Sequence, residues 1–537
     1  MHHLLQIPNF GVIMASSLFK FYFQSYGKTF LVALLGVIIL LAYFHHSGIG
    51  ISPDSVNYLS TAETWLRSGR FDNFHHLPLI DFPVGYPLWL AFWMKIIVLM
   101  GLMPISLTSM MHMAMIGNMV LFMVLIHATD ALLQQFSTFK QKHRLLLLTI
   151  YVTSPCLLEV YSYAWSETLF LPLCMITLLA LVKYVRSGAW MDLCIAALCC
   201  AWAWITRYAG VALVITGIFL MLFPANGKKN SLLIRLWHAC VFGCISSSLI
   251  LLNLFRNHLV GNYATGMREK SLTSLGENLR QAGDVIAYWW PIFSHQMNGV
   301  LMLMVLILSL LCCMYFLQQH AVSELAMMSL ATVYLIFIIT IASITRFQTL
   351  DSRLLSPAYI PLLAGLAGGL SHSFRSFVRL RKHASRIILF AGYLLWIIFQ
   401  INNWMQNAEN YDGIKDAGIP GYTEDGWQQS PSIQYLIQHA AVLAQIPIWY
   451  SDADDAIYFF TRKQAYALPH KENDCEKRLF QDAPQAMIFW FDDAADNDLI
   501  SRHDIEQYPD VHVWKRFDDG VIYWKGKNIP QALKALR

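Results

Sequence analysis

Four ionisable residues border long apolar runs in this chain, Glu167, Arg207, Arg346 and Arg353, and Asp54 stands just beyond the first run. An unpaired charge at such a place is costly, so each is a candidate for chemistry rather than decoration. Acids and guanidiniums divide the work naturally. A carboxylate can take a proton from a hydroxyl or amine, and a guanidinium grips a phosphate through two parallel hydrogen bonds. Asp54 opens the stretch SPDSVNYLSTAETWLRSG (52–69). Ser52 suits a helix cap, Pro53 the first helical position and Asp54 the first turn, where the helix dipole favours a negative charge. Asn57, Tyr58 and Thr61 share the face of Asp54 by spacing, and Ser68-Gly69 ends the helix. Spacing alone leaves Asp54 either a general base or a helix-start acid. Glu167 follows Glu159 in EVYSYAWSETLF, Arg207 stands in WITRYAGVAL, and Arg346 and Arg353 flank Asp351 in TRFQTLDSRLLSPAYIP. Asp81 and Tyr86 belong to the turn-rich DFPVGYP, suited to shaping a substrate pocket. His75-His76 reads as a solvated loop pair, and no Cys or His spacing reads as a zinc site.

The elements that must position these residues are membrane helices. Of 537 residues, 56% are hydrophobic and 13% charged, against about 25% charged in an ordinary soluble protein. With a mean hydropathy of +0.45, a disordered chain, a disulfide scaffold and a plain cytosolic enzyme are excluded. A net charge of +4 implies no nucleic-acid partner. The charge divides along the chain. Residues 1–403 carry 25 Lys+Arg and 13 Asp+Glu, and residues 404–537 carry 13 and 21. A basic membrane module (1–403) followed by a small acidic soluble domain (404–537) is expected. Nine of the ten cysteines lie in apolar runs, where thiols pack as small hydrophobes, and Cys475 stands alone in the tail.

A spanning helix needs about 20 apolar residues. Runs occur near 30–46, 106–127, 145–158, 166–185, 189–205, 209–223, 232–255, 297–317, 324–343, 354–371 and 386–402. A twelfth, 87–104, holds Lys95 mid-run and closes on Pro104. If that run stays at the interface, one set of short loops carries 15 basic residues, among them Lys140, Lys142, Arg144, Lys228, Lys229, Arg381 and Lys382, against three acids, Asp130, Asp192 and Glu324. The positive-inside rule then gives eleven spans, a cytoplasmic N-terminus and an extracytoplasmic tail. No cleavable signal is expected in the first 28 residues. Two outer loops, 47–105 and 256–296, exceed what a connector needs and are candidates for function. In the tail, 446–452, 486–493, 511–517 and 521–526 read as strands, the last two joined as a hairpin at Asp518-Asp519-Gly520. Residues 431–440 and 452–461 read as helices, giving a small α/β domain.

These stretches together resemble the C-type membrane glycosyltransferases, in particular the bacterial branch related to protein O-mannosyltransferases and the aminoarabinose transferases of lipid A. PDSVNYLSTAETWLRSG is similar to their first-loop signature, SETLF to the later acid, TRYAG to the basic outer turn, and DSRLLSPAYIPLL to the Arg–Pro motif of a late span. The resemblance covers 28 to about 370. It implies transfer of a sugar, with inversion, from a polyprenyl-phosphate donor to a glycan, lipid or protein acceptor on the outer face of a bacterial cytoplasmic membrane. It makes Asp54 and Glu167 the acidic site residues and Arg207 and Arg353 the donor-phosphate ligands, with Tyr58, Asp81, Tyr86 and Arg346 as further substrate-binding candidates. The first loop departs at two places: Ser55 stands where many relatives carry a second acid, and Phe82 where a lysine precedes the proline. No cofactor is certain from the sequence, and a divalent cation is compatible with it. The competing class is a transporter or flippase of lipid-linked glycans, or a non-catalytic scaffold. A transporter would place its ionisable residues mid-span; here, Lys95 apart, they gather at the outer edge.

Overall fold

Long apolar runs in the sequence become long helices, because only a helix satisfies its own backbone in hydrocarbon. The computed structural model describes residues 10–222, 231–290, 298–346, 349–380, 384–494, 498–527 and 529. Fifteen helices lead from the N-terminal side into the C-terminal region: α1 (Phe10–Tyr43), α2 (Pro53–Ser68), α3 (Gly85–Leu99), α4 (Leu107–Leu133), α5 (Gln141–Val152), α6 (Pro155–Ser162), α7 (Glu167–Ser187), α8 (Trp190–Thr206), α9 (Val211–Leu222), α10 (Leu232–Gly261), α11 (Leu275–Trp289), α12 (Asn298–Gln318), α13 (Val322–Ile344), α14 (Ser352–Leu380) and α15 (Ala384–Ala417). All eleven apolar runs fall in these helices. Six (α4, α7, α10, α12, α13 and the stretch Ser352–Phe374 of α14) are long and apolar enough to cross a membrane alone. The pair α5/α6 makes a seventh if taken as one span, bent by 53° where Pro155 opens α6. Trp190–Thr206 and Tyr208–Leu222 are shorter apolar helices, and Gly27–Tyr43 is an apolar stretch of α1. Among the described residues, six or seven helices are therefore long and apolar enough to cross a membrane by themselves. The inner basic residues Lys228, Lys229, Arg381 and Lys382 lie outside the described residues.

Two polar levels bracket the bundle. At one end Arg144 Nε donates to buried Asp130 at 2.8 Å, and His372 lies 3.2 Å from buried Glu324. At the other end stand Arg207 and Arg353. At about 1.5 Å per residue, α14 carries the chain roughly 28 Å from Arg353 to His372, close to the ~30 Å of a hydrocarbon core. The run 87–104 is α3, which buries Tyr86, Leu90, Ala91 and Met94 on one face and leaves Phe92, Trp93, Lys95 and Leu99 exposed.

Helix α15 passes unbroken through position 404 to Ala417. Beyond it come α16 (Asp425–Gln428), α17 (Pro431–Leu443), α18 (Asp454–Thr461), α19 (Asp474–Asp482) and α20 (Arg502–Glu506) around five strands: β1 (Trp449–Ser451), β2 (Tyr466–Ala467), β3 (Ala486–Phe491), β4 (Val511–Phe517) and β5 (Gly520–Lys525). The sheet order is β2-β1-β3-β5-β4, with β1 parallel to both neighbours and β3-β5-β4 antiparallel. The expected hairpin is β4–β5. Its turn is pinned by Asp519, which accepts from Ser432 Oγ at 2.7 Å and from Ser430 Oγ at the start of α17. Fully buried Trp449 and Trp524 fill the core beneath the sheet.

Candidate active site

Ser52, Pro53 and Asp54 start α2 as the sequence predicts, with Pro53 first in the helix and Asp54 in its first turn. Gly69 ends it at φ 75°, a left-handed conformation that favours glycine. The hydroxyl of Ser52 accepts from Trp165 Nε1 at 2.8 Å, tying the start of α2 to the segment before α7. That segment is fixed from below by Asn118 of α4, whose amide donates to Tyr161 O and Tyr163 O at 2.9 and 2.7 Å. Glu167 opens α7 and is fully buried. Arg207 breaks the chain between α8 and α9 in an extended conformation. Here α3 comes very close: a Cβ on Gly85 would lie 2.6 Å from Ile205 O, so only glycine permits the approach. Asp351 caps α14, its carboxylate accepting from Leu354 N at 2.8 Å, and Arg353 follows in the first turn.

The starts of α2, α7 and α14 and the break between α8 and α9 meet at one point. Glu167 Oε1 accepts from Arg207 Nη1 at 2.5 Å and from Arg353 Nε at 2.7 Å. Arg353 Nη2 reaches across to Asp54 Oδ2 at 2.5 Å. Ser166 Oγ accepts from Arg207 Nη1 at 3.0 Å and lies 3.3 Å from Tyr58 OH. The Arg353 guanidinium lies 4.1 Å over the Trp165 ring, a placement that adds cation–π attraction. Arg207 Nε is buried without a hydrogen-bond partner among the described residues. The cluster therefore alternates acid and base, Asp54–Arg353–Glu167–Arg207, with the Arg207 Nε donor buried and unspent among the described residues. Asp54 is its most accessible acid, with its side chain 29% exposed against 0% for Glu167.

Tyr58 sits beneath Asp54. Burial, and then the Asp54 carboxylate, push its phenol well above the ordinary value, so it stays a hydroxyl donor. Its ring meets Tyr86 and Phe82 edge-on at 5.3 and 5.2 Å, which puts Tyr86 one layer behind the cluster. Asp81 immediately precedes Phe82 in the same turn, beside Arg268. Burial raises its carboxyl above the usual range while Arg268 pulls it down. Arg346 is not brought to the cluster. It is paired at 2.5 Å with both Glu269 and Asp498, because its backbone is pinned beside the outer loop through Arg346 N to Glu269 O at 3.0 Å. Ser166 and Trp165 are the residues that sequence reasoning did not single out. Both stand inside motifs that it quoted, and only the pairing across the fold gives them a role.

Among the described residues no group of three or more His, Cys, Asp or Glu side chains converges as a cation site. Asp54 and Glu167 are both engaged by Arg353, and His75 is taken up by Asp454 at 2.9 Å. The residues at this site do not make a ligand set for a metal, and no step below is routed through one.

No protein-family model matches the chain, and no curated protein matches it. Solved structures do. The structure of ArnT from Cupriavidus metallidurans bound to undecaprenyl phosphate superposes with a TM-score of 0.53 at 12% identity, over 93% of this chain and 98% of that one. The oligosaccharyltransferase AglB from Archaeoglobus fulgidus, in complex with an inhibitory peptide and a dolichol-phosphate, gives a TM-score of 0.51 at 12% identity, over 87% of this chain and 70% of that one. The A. fulgidus oligosaccharyltransferase tethered to an acceptor peptide with the NVT sequon gives 0.53 at 12%, over 87% and 69%. At such identities the likeness is one of fold, extending from the membrane helices through the C-terminal region.

Proposed function

We propose that the chain is a membrane glycosyltransferase that moves a sugar from a polyprenyl-phosphate donor to a hydroxyl or amine acceptor at the outer face of a bacterial cytoplasmic membrane. The single observation carrying this is the alternating cluster Asp54–Arg353–Glu167–Arg207, with its unspent donor on Arg207, on a fold shared with proteins solved with polyprenyl phosphates. In the reaction, Arg353 and Arg207 bind the donor phosphate, and Glu167 holds both guanidiniums in register. As Arg353 Nη2 turns to the phosphate, Asp54 is released to take the acceptor proton. The acceptor oxygen or nitrogen forms its bond to the anomeric carbon while the carbon–oxygen bond to phosphate breaks. The electron pair leaves with polyprenyl phosphate, whose charge the arginines stabilise, and the proton rests on Asp54. Attack opposite the leaving group inverts the anomeric centre. Tyr58 supports Asp54 from beneath with its hydroxyl beside Ser166, Tyr86 packs behind it, and Asp81 shapes the adjoining wall.

The alternative of a transporter draws no support from the placement of charge: among the described residues the buried ion pairs gather at the two ends of the bundle. The test is a deletion strain whose surface glycans are read by mass spectrometry. One sugar should disappear and return with the wild-type chain. Unchanged glycans, together with purified protein that does not bind undecaprenyl phosphate, would overturn the proposal.

A further inference from the structure

We propose that the segment 419–423, at the entry to the C-terminal region, is a positioning element for Asp54 and Arg353, with Ile419 and Tyr422 as its working residues. The inference rests on the reading of those two charged side chains as site residues. Two lines of contact carry it, and the first is a column of stacked groups. A Cβ added at Gly50 would fall 2.5 Å from Ile419 Cγ2 and 2.7 Å from the Tyr163 ring. Gly50 is therefore the thin spacer at which three segments touch. The Tyr163 ring stacks on Trp165 at 4.1 Å, inclined by 4°, and Arg353 lies 4.1 Å over Trp165. Ile419, Gly50, Tyr163, Trp165 and Arg353 thus form one stack from the C-terminal region to a guanidinium of the site.

The second line is backbone. Gly50 N donates to Ser162 O at 2.9 Å and Gly50 O accepts from Ala164 N at 3.1 Å, on the side that leads to Glu167. From the other side Tyr422 N donates to Ile51 O at 2.8 Å, Thr423 Oγ1 to Ile49 O at 3.1 Å, and Ile419 N to Ser47 Oγ at 3.0 Å. Gly421, at φ 114°, makes this docking fit: a Cβ there would lie 2.4 Å from Ile51 O. Tyr422 is itself buried and anchored, its hydroxyl donating to Asp455 at 2.8 Å. The backbone just before Asp54 is consequently clamped between the segment leading to Glu167 and the C-terminal region. The same region holds the far end of α2, where Arg462 reaches Glu63 at 2.9 Å. A helix in an outer loop has no span to fix it, and a 1 Å error in reacting groups is worth on the order of 10²-fold in rate. The clamp supplies the missing constraint.

The test uses the full chain purified in detergent, with undecaprenyl phosphate as the probe and melting temperature as the control for folding. Ile419→Ala removes the methyl that touches Gly50, whereas Ile419→Val keeps a branched methyl at that place. Ile419→Ala should bind undecaprenyl phosphate about tenfold more weakly at a near-normal melting temperature, while Ile419→Val and the exposed-surface control Leu479→Ala bind as wild type. In an Arg353→Lys background, Ile419→Ala should add little, because the two act through one stack. Tyr422→Phe, which keeps the ring and the backbone donor, supplies a milder variant should Ile419→Ala fold poorly, and it should move affinity in the same direction. Wild-type affinity in folded Ile419→Ala and Tyr422→Phe, or full additivity with Arg353→Lys, would overturn the inference. Wild-type protein that binds no undecaprenyl phosphate would instead fall on the functional proposal and take this inference with it.

Discussion

Replacing Glu167 by Gln keeps the side-chain shape and removes one buried charge, and the geometry gives opposite signs to its two consequences. The carboxylate is fully buried and holds Arg207 at 2.5 Å and Arg353 at 2.7 Å. Taking away one partner of a buried pair costs about 3–5 kcal/mol, because the other charge is stranded. Arg353 keeps Asp54 at 2.5 Å and Arg207 keeps the Ser166 hydroxyl at 3.0 Å, which places the loss at the lower end, about 3 kcal/mol. Donor binding moves the other way. A phosphate seated across the Arg353 guanidinium would stand roughly 5 Å from the Glu167 carboxylate, where like charges repel by about 3 kcal/mol at an effective dielectric of ~20. Removing that repulsion offsets the loosened aim of the two arginines. Glu167→Gln should therefore unfold more easily without ligand, yet bind undecaprenyl phosphate at least as tightly as wild type and gain a larger thermal shift from it, while sugar transfer falls. The assay is unfolding in detergent with and without undecaprenyl phosphate. A Glu167→Gln protein as stable as wild type that binds undecaprenyl phosphate tenfold more weakly would refute the counter-ion role.

Arg353→Lys keeps a charge but can reach only one of the two carboxylates and loses the planar fork; undecaprenyl phosphate affinity should drop about tenfold, and unchanged affinity in both Arg353→Ala and Arg207→Ala would remove the pair from the site. Tyr58→Phe keeps the packing on Tyr86 and Phe82 and should change stability by at most ~1 kcal/mol, whereas Tyr58→Ala opens a cavity costing about 3–5 kcal/mol; equal losses in a melting comparison would contradict this. Reporter fusions after 142, 228 and 380 should read cytoplasmic and one after 404 extracytoplasmic, and a cytoplasmic reading at 404 would reverse the orientation. Burial, chiefly, pushes the carboxyls of Asp452 and Asp455 up to about 7, so the folded C-terminal region keeps protons that the unfolded chain gives up near 3.8. Stability should then fall as pH rises from about 4 to about 7 and level off above. Urea unfolding at pH 5 and pH 8 should show that slope, shallower in Asp455→Asn, and a rise in stability over the same range would contradict the assignment.

Much of this was legible because local signals carry it. Ser52-Pro53-Asp54 and Ser68-Gly69 mark both ends of α2 through cap and turn chemistry that acts within a few residues. The β4–β5 hairpin was equally local. The number of crossings is less local, because hydropathy marks apolar runs and not whether a bent pair such as α5/α6 makes one span. Nor does it mark where a helix ends: α15 outruns the apolar stretch 386–402 to Ala417, where Asn403, Gln406 and Asn407 donate to Ile150 O, Tyr288 O and Thr153 O across the fold. The acids and arginines were recognisable singly, but Asp54 and Arg353 are 299 positions apart, and nothing in spacing pairs them. Arg346, seven residues from Arg353, looked like its companion, yet the short bridge between Lys270 and Thr345 turns it toward Glu269 and Asp498.

The central claim, that Asp54 is the base, is tested most directly by sugar transfer in Asp54→Asn, expressed in cells lacking the native protein and checked for folding and for binding of undecaprenyl phosphate. The substitution keeps the shape and the helix-start preference, so a helix-start role alone predicts a loss of at most ~1 kcal/mol and near-normal turnover. The account predicts a folded protein that still binds undecaprenyl phosphate, with turnover lower by roughly 10²–10⁴. Wild-type transfer by well-folded Asp54→Asn would contradict it.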